Sequence, residues 1–140
     1  MKKIAVIILL IVSVNLSAQT DTQKWLTDYK EATKVSETLN NPILVFVTDN
    51  TSGESYDVLQ DQVFNSENFK RYASSFVLLK LDISTDSYNK RLAFHYTKSD
   101  AVPALVLIDK KGNTIEKALT EINSKNVSEF MTFLKTKTKY

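Results

Sequence analysis

From residue 24 onward the chain switches between helical and continuous hydrophobic runs, separated by short polar breaks. Trp25, Leu26, Tyr29, Ala32 and Val35 recur at helical spacing, which predicts an amphipathic helix over residues 24–38. Asn40, Asn41 and Pro42 end it. Residues 43–47 follow as a short, uncharged, β-branched run, the pattern of a strand covered on both faces. A loop of small polar residues, 48–55, leads to Tyr56, Leu59, Val63 and Phe64 at helical spacing. Asn65 and Ser66 interrupt before Phe69, Tyr72 and Ala73 continue as a second helical piece. Residues 76–81 read as a second apolar strand, and 82–86 as a turn into a short helix carrying Tyr88, Leu92, Ala93 and Phe94. A third strand is expected over 104–108. Residues 109–113 then form a hairpin turn in which Gly112 supplies a positive φ, and 114–119 return as a fourth strand. Asn123 or Ser124 is placed to cap a last helix with Val127, Phe130, Met131 and Leu134 on its apolar side. Residues 135–140 alternate Lys and Thr and are expected to fray.

After the first helix the order is β, α, β, α, β, β, α. A parallel pair joined by a helix, then an antiparallel hairpin and a closing helix, makes an α/β fold: a four-stranded mixed sheet flanked by helices.

The first residues follow another pattern. Lys2 and Lys3 precede an apolar run over 4–12 and small or polar residues through Ser17 and Ala18, the arrangement of a secretory signal peptide. The run is shorter than the roughly 20 apolar residues a bilayer span needs. We therefore expect residues 1–18 to be a signal peptide, 19–140 the domain, and the protein to be exported, periplasmic or secreted, with no stable membrane insertion after cleavage. Composition then changes the picture in two ways. Without Lys2 and Lys3, 16 basic residues face 16 acidic ones, so charge nominates neither nucleic acid nor anionic lipid as a partner. The 140 residues also contain no cysteine, which excludes disulfides, thiol catalysis and thiolate metal sites.

Other chemistries are thinly supplied. His95 is the only histidine, placed near the end of a short helix where a structural or surface role suffices, so no zinc set can be assembled. Asp82, Ser84 and Asp86 have calcium-like spacing, but the glycine and distal glutamate of a calcium loop are missing; a strand end and a helix cap explain them equally well. Residues 49–53 fail in the same way. Gly53 and Gly112 are the only glycines, so neither a Walker loop nor a dinucleotide fingerprint can form. No cofactor and no metal is expected. The lysines at 110, 111, 135, 137 and 139 read as solvated charges.

Taken in order, Trp25 and Ala32, the strand beginning Pro42-Ile43-Leu44-Val45-Phe46, Val63-Phe64, the run 76–82, and Val102-Pro103 before residues 104–109 and Lys111-Gly112 resemble the thioredoxin-like superfamily, in particular its small secreted members. The resemblance covers about residues 25–134. It implies a three-layer sandwich and a cis proline at Pro103 facing the active-site surface. It also shows a departure, because redox-active members carry Cys-x-x-Cys at the start of the helix after the first strand. Counting back from Phe64, those positions fall on Gly53 and Tyr56, or, one residue earlier, on Ser52 and Ser55. Thiol-disulfide oxidoreductase activity is excluded either way. The resemblance thus implies a redox-inactive, non-catalytic module. Its vestigial active-site surface, Ser52, Gly53, Glu54, Ser55, Tyr56, Val102 and Pro103, would accept a protein or extended peptide ligand. The alternatives are an enzyme of non-redox chemistry using residues 52–56 together with His95, or a structural subunit of an envelope complex.

Overall fold

The computed structural model describes residues 24–139; the expected signal peptide lies outside them. Five helices and four strands follow in the order α1 (Tyr29–Leu39), β1 (Ile43–Thr48), α2 (Glu54–Leu59), α3 (Glu67–Tyr72), β2 (Val77–Asp82), α4 (Ser87–Thr97), β3 (Ala104–Ile108), β4 (Thr114–Leu119) and α5 (Ser124–Thr136). A π-helical turn, Gln60–Phe64, prolongs α2, and a short 3₁₀ turn, Ala73–Ser75, prolongs α3.

The strands lie in the order β2-β1-β3-β4. β1 is parallel to β2, with Phe46 opposite Lys80, and antiparallel to β3, with Val47 opposite Ala104. β3 and β4 close the hairpin, with Gly112 at φ 83° in its turn. The expected mixed sheet is therefore the one observed.

Side chains on successive strand residues point to opposite faces, and this alternation sorts the core into two clusters. Ile43, Val45, Val47, Leu79, Leu81, Val106 and Ile108 pack beneath α1 and α4, meeting Ala32, Ala93 and Tyr96. Leu44, Leu78, Leu105, Leu107 and Leu119 pack beneath α2, α3 and α5, meeting Leu59, Phe69, Phe130 and Leu134. Helix ends are set by short polar side chains. The carboxylate of Asp28 accepts from the N–H groups of Lys30 and Glu31, Ser66 caps α3, Asp86 caps α4 and Asn123 caps α5.

Three expectations are corrected. The first helix starts at Tyr29 rather than Lys24, because Asp28 caps it and the preceding residues join the sheet. Leu26 makes a parallel bridge to Leu79, its N–H donating to the Leu78 carbonyl and its carbonyl accepting from the Lys80 N–H, both at 2.8 Å. Trp25 and Leu26 consequently point to opposite faces. On α4, Tyr88 and Phe94 are 42% and 51% exposed, while Tyr96 is buried and shares a hydroxyl–hydroxyl hydrogen bond of 2.7 Å with Tyr29. The C-terminal tail is anchored: α5 runs to Thr136, and the Lys139 N–H donates to Ser75 Oγ at 3.2 Å.

Candidate functional site

β1 ends at Thr48, and the loop that follows is tied together by one carboxylate. Asp49 Oδ1 accepts from the Thr51 hydroxyl at 2.6 Å, the Tyr56 hydroxyl at 2.7 Å and the Thr51 N–H at 3.1 Å. These bonds favour the ionised form, so the Asp49 carboxyl titrates below its ordinary range, first through the Thr51 hydroxyl and then through Tyr56. The Tyr56 oxygen also accepts from Thr48 Oγ1 and the Asp49 N–H, each at 3.1 Å. Tyr56 is thus half-buried and fastens α2 to the end of β1. Ser52, Gly53 and Glu54 are exposed and Ser55 is half-buried.

Gly53 occupies the N-cap position of α2 with φ 156° and ψ 179°, a conformation open essentially to glycine alone. A Cβ there would meet nothing within 4 Å, so only backbone strain opposes a larger residue.

The antiparallel pairing of Ala104 with Val47 brings the start of β3 to the same end of the sheet as this loop. The Val102–Pro103 peptide is cis; Pro103 is buried and Val102 half-buried. No hydrogen bond among the described residues engages the Val102 N–H or C=O.

Beside Tyr56, on the α2 side of the sheet, an open cleft of about 590 Å³ lies over the C-terminal ends of β1 and β2. Its aromatic wall is a packed set of rings. Trp25 meets Phe46 and Phe64 edge to face at 5.9 and 5.5 Å between centroids, Phe46 meets Phe64 at 5.0 Å, and Tyr56 meets Phe46 at 6.4 Å. Lys80 rises from β2 into the same space.

The remaining candidates stay apart. His95 is exposed on α4, which packs on the sheet face opposite α2, so it does not join the loop serines. Asp82 Oδ1 accepts from the N–H and hydroxyl of Ser84, and its Oδ2 from Asn50 Nδ2. Its carboxyl lies below the ordinary range for those reasons, the Ser84 hydroxyl first. Asp86 caps α4, which leaves the calcium-like spacing as a strand end and a cap. No cluster of three or more potential metal ligands occurs among the described residues. Nor is any described helix long and apolar enough to cross a membrane.

Residues 24–110 match the family described as thioredoxin-like. The chain belongs to the thioredoxin-like family. Among solved structures it is similar to "DsbH Oxidoreductase", 26% identical over 80% of this chain and 84% of that one, with a TM-score of 0.62. A disulphide isomerase from Xylella fastidiosa Temecula1 is 15% identical over 80% of this chain and 98% of its own, TM-score 0.58. A thioredoxin from Thermus thermophilus is 19% identical over 81% and 86%, also with a TM-score of 0.58. No curated protein matches the sequence. Within this thioredoxin-like fold, no thiol exists with which to exchange disulfides, since the chain has no cysteine.

Sequence reasoning found the loop and Val102-Pro103 but missed the cleft. One signal was available: Lys80 interrupts the apolar run of β2.

Proposed function

We propose that this thioredoxin-like protein is an exported, non-catalytic module that binds an extended polypeptide segment along Val102 and Pro103 and across residues 52–56. What supports the reading most is the Val102 backbone, half-buried yet without a hydrogen bond among the described residues. A backbone donor and acceptor in that situation gain when an incoming strand pairs with them, and such pairing is indifferent to thiols. The loop opposite is fixed by Asp49 and Tyr56, so little ordering remains to oppose binding. Export rests on the Lys2-Lys3 start and the apolar run that follows.

Titration of the ¹⁵N-labelled protein with unstructured peptides tests the binding reading. Saturable shift changes should concentrate at residues 52–56 and 101–104. Absence of saturable binding, or changes confined to α1 and α4, would overturn it. Export is checked by mass spectrometry of protein from its producing cells: a mature chain starting at or next to Gln19 is expected, and intact Met1 in cytosolic protein would refute it.

A further inference from the structure

The cleft walled by Trp25, Phe46, Tyr56 and Phe64 contains neither Val102 nor Pro103, and the proposed peptide surface does not account for it. Its size falls in the range of roughly 300 to 1,000 Å³ typical of small-molecule sites. Ring surface is available there because Trp25, Phe46, Tyr56 and Phe64 are all only partly buried. An apolar, planar group would find edge and face contacts without rearranging the core.

The charge on Lys80, which lines the cleft, decides what else the ligand carries. Lys80 is half-buried opposite Phe46 on the sheet, and its ammonium forms no ion pair among the described residues. The nearest carboxylate by sequence, Asp82, attracts it at a distance but spends its oxygens on Ser84 and Asn50. Two other charged side chains line the cleft. Lys70 is paired with Glu67 at 3.7 Å, and Asp57 is exposed. A half-buried cation without a counter-ion is a poor neighbour for a cationic or neutral guest and a good one for an anion.

From this geometry we infer that the cleft is a binding site for a small aryl carboxylate, its ring against Trp25, Phe46 and Phe64 and its carboxylate on Lys80. Trp25 is the only tryptophan of the chain, so its fluorescence reports occupancy of the cleft directly.

The test titrates the purified protein with 3-phenylpropionate and, in parallel, with the neutral isostere 3-phenylpropanamide. Saturable change of Trp25 emission is expected for the acid, with the amide weaker by about fivefold, the size of one partly screened charge contact. Lys80→Met keeps an unbranched side chain one atom shorter and without the charge and should erase the preference for the acid, whereas Lys80→Arg should retain it. In ¹⁵N spectra the acid should move the signals of residues 46, 56, 64 and 80 and leave 101–104 unmoved, which separates this site from the peptide surface. No saturable response, equal affinity for acid and amide, or a preference that survives Lys80→Met would overturn the inference. Should Lys80→Met fail to fold, the acid–amide comparison on the unaltered protein still decides.

Discussion

Beneath α1 and α4 the sheet offers Ile43, Val45, Val47, Leu79 and Val106, and the helices answer with Ala32, Ala93 and one buried ring, Tyr96. Beneath α2, α3 and α5 it offers Leu44, Phe46, Leu78 and Lys80, and the answer is Phe64, Phe69 and Phe130. The half-buried Tyr29 and Leu92 complete the cover with Tyr96, and the strand side chains on this face are buried. On the second face, Trp25, Phe46, Tyr56 and Phe64 line an open cleft together with polar residues such as Thr48, Gln60 and Lys80. One strand thus serves both purposes by alternation: on β1, Val45 and Val47 seal while Phe46 lines an opening. The difference teaches that both faces of a single sheet carry a buried core, while the second also keeps an open cleft beside it.

Breaking the closed face should cost most. Leu79 is fully buried at the centre of that cluster, so Leu79→Ala should lower unfolding stability by about 3 kcal/mol, read as a lower urea midpoint at unchanged slope. Phe46→Ala removes a larger side chain, yet water already reaches one side of it. A loss of about 1 to 2 kcal/mol is expected in the same experiment. Equal losses from the two changes would erase the contrast between the faces.

Next in size is the tyrosine pair. Tyr96→Phe deletes the 2.7 Å contact with Tyr29 and should cost about 1 kcal/mol at neutral pH. Burial first, then the Tyr29 hydroxyl, raises the Tyr96 hydroxyl above its ordinary value of 10.0. The unfolded chain therefore loses this proton at lower pH than the folded one, and the contribution of Tyr96 is intact below pH 10 and declines as pH rises beyond it. Alkaline melts should show a steeper decline for the unaltered protein than for Tyr96→Phe.

The smallest effect belongs to the loop beside the open face. Tyr56→Phe removes one donor to Asp49 while Thr51, the larger influence, remains. The Asp49 carboxyl should rise part of the way toward 3.8 in an NMR titration. Because its folded value is depressed, the stabilisation it lends is present above that ordinary value and fades as pH falls through the folded one. An unmoved Asp49 would show that Tyr56 does not fasten the loop.

Much of this fold was legible because its signals are local. The third and fourth strands, at 104–108 and 114–119, were bounded by Pro103, the turn at Gly112 and a continuous apolar run. Asn123 was among the expected caps, and Asn40 ends α1 in the left-handed conformation. Helical spacing tells which residues share a side of α4, but not which side turns inward; Tyr96 rather than Phe94 was selected by a partner 67 residues away. Trp25 and Leu26 carry helical spacing too, and only the distant Leu79 shows them to be extended. The loop and Val102-Pro103 could be read from the resemblance. The cleft could not, since it requires the register that sets Phe46 beside Lys80 and the return of Trp25 across both.

That return of the chain also guards the molecule against its own kind. A four-stranded sheet has two outer strands, and bare outer strands invite edge-to-edge aggregation. Leu26 occupies the free edge of β2 through both of its backbone bonds. At the other edge a register shift between Leu105 and Leu107, with Glu116 at φ 66° and Lys117 exposed beside it, bends β4 and studs it with charge. The second device is built into the strand, but the first depends on a few residues ahead of α1. Trimming the chain through residue 26 removes Trp25 and Leu26 from the two core clusters and bares the edge of β2, so the shortened protein should be both less stable and more prone to associate along β2.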